Sequence, residues 1–184
     1  MQLFARFFVL NFVIIVKNYM QKIQKITPFL WFDHQAEEAA NFYVSVFKNS
    51  KLGRITHYDE AGAKASEQPQ GSVMTAEFQL DGQDFVALNG GSYFKMSGAI
   101  SFVVNCENQE EVDYFWEKLS DGGEKGVCGW INRDKFGVTW QVTPIVLIDY
   151  LNDSDPEKAK RVMEAMLQMK KIIIADLQKA YDQK

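Results

Sequence analysis

The run Ile26-Thr-Pro-Phe-Leu-Trp-Phe-Asp33, followed at once by Gln35-Ala-Glu-Glu-Ala-Ala-Asn-Phe-Tyr-Val-Ser-Val-Phe-Lys48, decides the fold. The first stretch is short, apolar and aromatic, as a buried strand requires. The second places Ala39, Phe42, Tyr43, Val46 and Phe47 on one helical face, with Glu37 and Glu38 in the first turn, where carboxylates favour the helix dipole. Three more strand signals follow, over Lys51 to Tyr58, Ser72 to Leu80 and Phe85 to Asn89, the last two joined by the turn Asp81-Gly82. Residues Ala61 to Gly71, rich in Gly, Ser and Gln and carrying Pro69, read as one long loop and a flap near a pocket mouth.

The same order then begins again. Ala99 to Cys106 is a strand, Asn108 to Ser120 an amphipathic helix ended by Asp121-Gly-Gly123, and strands around Val127 to Asn132 and Val138 to Thr143 complete it. An offset of 73 residues superposes Phe29 on Phe102, Glu37-Glu38 on Glu110-Glu111, Phe42-Tyr43 on Phe115-Trp116 and Val46 on Leu119. A duplicated supersecondary unit is the economical account. The fold class is therefore α+β: two β-α-β-β-β units, residues 26–91 and 98–144, curling into an open barrel-like sheet with a cavity between them. Residues 145–184 form a helical tail, with Ser154 or Asp155 as cap, Pro156 in the first turn, and Val162, Met166, Met169, Ile173 and Leu177 as one apolar stripe.

Composition narrows the functions. At 184 residues, 47% hydrophobic and 24% charged, the chain has room for one domain with a full core. A net charge of -4 without a basic block gives no footprint for nucleic acid. Cys106 and Cys128 make neither a disulfide framework nor a CxxC zinc motif, and a reducing cytoplasm is the expected setting. Residues 1–25 differ in kind. Their apolar run Phe7 to Val16 is too short to span a bilayer, and reads as an extension ahead of a start at Met20 or as a packed strand or helix, with a membrane anchor as the less favoured third alternative.

Several stretches together resemble the PhnB-like branch of the glyoxalase/bleomycin-resistance (vicinal oxygen chelate) superfamily, often labelled 3-demethylubiquinone-9 3-methyltransferase. They are Ala36-Glu-Glu-Ala39 with Phe42-Tyr43 and Phe47, Phe85-Val-Ala-Leu-Asn-Gly-Gly91, Ala99-Ile-Ser-Phe102, and Cys128-Gly-Trp130 with Asp134-Lys-Phe-Gly-Val-Thr-Trp-Gln-Val-Thr-Pro144. The tail segment Val162-Met-Glu-Ala-Met-Leu-Gln-Met-Lys-Lys171 is similar too, which extends the resemblance to residues 26 to 181. The resemblance implies the glyoxalase/bleomycin-resistance/dihydroxybiphenyl dioxygenase fold and a symmetric homodimer. Fold alone does not fix chemistry, so the site has to be argued residue by residue.

Metal-dependent members take His and Glu ligands from the first and last strands of each unit. Here those positions hold Thr27 or Pro28, Ala87 or Asn89, Ile100 or Ser101, and Trp140 or Gln141, none of them His, Asp or Glu. The expectation is no metal in the usual place, with His34, His57 and Glu60 as the one off-pattern alternative. S-adenosylmethionine, which the methyltransferase label implies, is not supported either, because Asn89-Gly90-Gly91 is not followed by the helix of a dinucleotide-type fold. Cys128, near Arg133 and Lys135, is a weak candidate nucleophile and Gln141 a weak catalytic candidate, while Cys106 reads as core.

What remains is a candidate pocket of aromatics and amides: Phe29, Trp31, Asn89, Phe102, Trp130, Trp140 and Gln141. The sequence-level reading is a binder of a small aromatic or planar apolar ligand, with three alternatives. They are a methyltransferase, a lyase or dioxygenase with an atypical metal site, and a filled barrel whose aromatics are only core.

Overall fold

The computed structural model describes residues 23–183, so the Phe7 to Val16 run lies outside the described residues. The first unit runs β1 (Phe29–Phe32), α1 (Ala36–Val46), β2 (Lys51–His57), α2 (Glu60–Ser66), β3 (Val73–Leu80) and β4 (Gln83–Asn89). The second runs β5 (Phe102–Cys106), α3 (Gln109–Ser120), β6 (Glu124–Lys125), β7 (Trp130–Arg133) and β8 (Trp140–Pro144). Each unit makes its own four-stranded mixed sheet, ordered β1-β4-β3-β2 and β5-β8-β7-β6, and neither closes into a barrel. The repeat is visible in the register. Phe29 lies opposite Val86 and Phe102 opposite Trp140, in each case a first strand running parallel to the last.

Local chemistry explains most of the elements. Asp81 (φ 44°) and Gly82 (φ 82°) both take left-handed backbone, giving the tight turn that pairs Leu80 with Gln83. Helix α3 is capped by Asn108, whose Oδ1 accepts from Glu111 N at 3.0 Å. Helix α1 receives no cap from Gln35, its own N-cap residue. Instead Asn89 Oδ1, at the end of β4, accepts from Ala36 N at 2.7 Å, while Asn89 Nδ2 donates to the carbonyl of Val73 at 3.0 Å. One strand amide thus satisfies a helix start that would otherwise be buried with an orphan donor.

The stretch read as a loop from Ala61 to Gly71 is corrected: its first half is helix α2. Asp59 Oδ1 accepts from Gly62 N at 2.7 Å, Ala63 packs inward, and Glu67 (φ 55°) ends the helix in a left-handed residue. The alternating alanines carry more helix propensity than Gly62 and the later Pro69 remove.

The two units share one core. Against α1, the small Ala36, Ala39 and Ala40 allow close approach of β3 and β4, and Tyr43 is fully buried between Phe78 of the first unit and Phe136 and Trp140 of the second. Each such fully buried large side chain contributes roughly 1.5–3 kcal/mol from desolvation. Asp134, 3% exposed, lies beside them and accepts four hydrogen bonds, from Tyr43 Oη, Trp140 Nε1, Phe136 N and Val138 N.

The tail is three helices, α4 (Ile145–Leu151), α5 (Pro156–Leu167) and α6 (Ile174–Asp182), rather than one long stripe. Asp155 supplies the cap of α5, accepting from Glu157 N at 3.0 Å. Met169 and Ile173 fall in the turn between α5 and α6, and the tail's own small core is Leu147, Val162, Ile172 and Leu177. It is fastened to the second unit by main-chain bonds, Cys128 N to Met169 O at 2.7 Å and Gly129 N to Lys170 O at 2.8 Å, and by the Lys171 to Asp113 ion pair at 2.5 Å. Among the described residues no helix is long and apolar enough to cross a membrane.

Candidate functional site

A groove of about 930 Å³ lies at the junction of the two units. One wall is the free edge of β5 with the start of α3; the other is the β3–β4 turn and the end of α1. Its aromatic surface comes from Phe47, Phe85, Phe102, Tyr114, Phe115 and Trp140. These rings form a continuous run: Phe47 lies 5.1 Å from Phe115 and 5.5 Å from Trp140, and Phe102 lies 5.4 Å from Trp140 and 5.5 Å from Phe85, centroid to centroid. Such spacings are those of interacting aromatic pairs, so the floor is preformed. Trp140 is held from behind, its Nε1 donating to Asp134 Oδ2 at 2.8 Å.

Burial raises the carboxyl of Asp134 above the ordinary carboxylate range, against the pull of its four hydrogen bonds. Burial and the nearby Asp134 carboxylate push the Tyr43 phenol well above its usual value, which keeps it a donor.

The seven residues chosen from the sequence do not form one site. Phe102 and Trp140 line the groove. Phe29, 59% exposed, and Trp31 lie on the face of the first sheet that α1 does not cover. Trp31 donates from Nε1 to the carbonyl of Gly91 at 2.7 Å, and its ring fills the space where a side chain at position 90 would stand. Trp130 and Gln141 are register partners on the second sheet, and Gln141 Nε2 donates to Ser101 Oγ at 2.8 Å. Asn89 is buried and its amide is spent on Ala36 and Val73.

Phe47, Phe85, Tyr114 and Phe115 line the groove but are not among the seven pocket candidates of the sequence. The signal was present at Phe115, which the internal repeat aligns with Phe42.

Cys128 lies under the tail and does not line the groove. The two cations near it in sequence are engaged elsewhere, Arg133 with Glu124 at 2.7 Å and Lys135 over the ring of Phe42 at 4.2 Å. Cys106 is fully buried and its thiol is pushed up to about 12, first by burial and then by the Glu111 carboxylate.

The superfamily's chelate needs imidazole or carboxylate donors, and the strand positions that would supply them here offer hydroxyl, amide or carbon side chains, with both amides already bonded within the protein. That donor set does not fit a transition metal. His34, His57 and Glu60 do not assemble either; among the described residues no three His, Cys, Asp or Glu groups are placed so that they could hold a metal ion. For S-adenosylmethionine, the sheets are mixed rather than doubly wound, and no helix opens at Gly90-Gly91.

Paired β-α-β-β-β units around an interunit groove define the class, an α+β protein of the glyoxalase fold. Residues 24–143 match the family described as 3-demethylubiquinone-9 3-methyltransferase, and the chain belongs to that family. A solved structure of a PhnB protein from Bacillus cereus, carrying the same methyltransferase description, is 38% identical and covers 66% of this chain and 99% of its own, with a TM-score of 0.59. Protein PA1353 from Pseudomonas aeruginosa, 20% identical over 66% of this chain and 97% of its own, shares the fold at a TM-score of 0.51. No curated protein matches the chain. The family match ends at residue 143, so the stretch from Val162 to Lys171, read in the sequence as part of the resemblance, falls beyond it.

Proposed function

We propose that this protein binds a small planar, largely apolar molecule in the interunit groove, without the metal chelate of its superfamily. The observation that carries the reading is the aromatic floor of Phe47, Phe102, Phe115 and Trp140 under a groove of about 930 Å³, a size and lining suited to a ligand. Exposed apolar side chains away from the groove lining, Phe29, Tyr93, Phe94 and Ile100, support a homodimer.

The test uses freshly purified full-length protein. Native mass spectrometry joined to metal analysis is expected to show a dimer with substoichiometric metal, and quinoline-sized aromatics are expected to quench tryptophan fluorescence saturably. Phe102→Ala should weaken that binding about tenfold, roughly the loss of one stacking partner. Stoichiometric tightly held metal, or no saturable binding by any planar probe, would sink the reading.

The family description favours a second reading, methyl transfer from S-adenosylmethionine. The same titration with S-adenosylmethionine decides it: saturable binding that yields S-adenosylhomocysteine with a quinol supports transfer, and no binding removes it.

A further inference from the structure

We propose that the ligand of the groove is a planar organic cation. The inference rests on the binding reading above and adds a charge to it.

The aromatic floor sets the shape of the ligand; the rim sets its sign. Asp81, on the β3–β4 turn, stands on one side, and Glu107, Glu110 and Glu111, at the start of α3, stand on the other. The single cation lining the groove is Lys48, just past the end of α1. Among the described residues no ion pair involves any of these five side chains.

Glu110 and Glu111 have a local reason to be there, since they occupy the first turn of α3, and Glu111 Oε2 accepts from Glu107 N at 2.9 Å. Asp81 belongs to the β3–β4 turn and Glu107 directly precedes the α3 cap Asn108, so two separate elements bring their carboxylates to one groove. Four carboxylates against one ammonium around a concave apolar surface focus a negative potential into it. The faces of Tyr114, Phe115 and Phe47 carry the same sign of electron density and attract a cation that has shed part of its water. An anionic aromatic of the same size meets repulsion from both rim and floor.

The experiment compares three planar probes of one ring skeleton near neutral pH on the full chain: N-methylquinolinium, quinoline and quinoline-6-carboxylate. The readout is the dissociation constant from tryptophan quenching at about 50 mM and about 300 mM salt, which brackets strong and weak screening. N-methylquinolinium is expected to bind at least about fivefold more tightly than quinoline, the range of a cation–π contact. That advantage, taken as the ratio of the two dissociation constants in the same protein, should shrink at the higher salt and in the variant Asp81→Asn/Glu107→Gln/Glu110→Gln. These three side chains are exposed and their replacement leaves the core intact; Glu111 is kept because it caps Glu107 N.

Equal binding of cation and neutral probe overturns the charge assignment and leaves the binding function standing, and so does tighter binding of the carboxylate. A cation preference that the triple variant retains in full also overturns it, because the rim would then not be its source. Failure of all three probes to bind overturns both proposals.

Discussion

The phenol of Tyr43 donates to Oδ2 of Asp134 across 2.7 Å, and the two residues belong to different units, Tyr43 to α1 of the first and Asp134 to the segment between β7 and β8 of the second. The same oxygen accepts from Trp140 Nε1 at 2.8 Å. One buried carboxylate therefore ties the unit interface to the floor of the groove.

Tyr43→Phe removes a hydrogen bond to a charged acceptor and keeps the ring. It is expected to lower unfolding free energy by about 1.5–3 kcal/mol, as for hydrogen bonds to ionised groups. Urea denaturation with an unchanged m-value checks it, and a loss under about 0.5 kcal/mol would show that the bond carries little.

The pH dependence has a definite sign. Burial raises the folded-state carboxyl of Asp134 above its unfolded value, so the native state holds the proton more tightly. Asp134 therefore favours folding while both states are protonated, and this advantage is lost as pH rises from the ordinary carboxylate range, near 4, through the raised folded value. The stability difference between the natural protein and Asp134→Asn should narrow as pH increases across that window. Measured by denaturation at several pH values, a difference that widens instead would mean that the four hydrogen bonds outweigh burial.

Gly90 is irreplaceable for a steric reason. A Cβ there would lie 2.2 Å from Cζ2 of Trp31, so Gly90→Ala must displace the indole and break its bond to Gly91 O. A loss of roughly 1–3 kcal/mol is expected, as for overpacking, with a red-shifted tryptophan emission. An unshifted spectrum would count against the contact.

The two thiols should separate kinetically. Cys106, fully buried and pushed up to about 12, is expected to react with a thiol reagent only on unfolding. Cys128 is half-buried and should label in the native protein. Mass spectrometry after brief labelling reads the site directly, and native modification of Cys106 would contradict its burial.

Local order was legible in the sequence because its causes are local. The 73-residue offset that aligns Phe29 with Phe102 and Glu37 with Glu110 places α1 on α3 and β1 on β5, since strand and helix periods are properties of neighbouring residues. The Asp81-Gly82 turn and the Asp155 cap with Pro156 were legible for the same reason. Helix α2 is masked in the sequence because Gly62 and Pro69 are loop-forming residues, whereas its Asp59 cap and its alanines are weaker signals over seven residues.

The candidate site was decided by tertiary structure. Trp140 and Gln141 are neighbours on one strand and point to opposite faces, the first to the groove and the second to Ser101. Strand alternation says that they part, but only the docking of one unit on the other says which of them meets a cavity. Asn89 shows the same limit. Its amide looked like a ligand contact and is a helix cap, because the donor it serves, Ala36 N, is brought to it by packing of α1 across β4.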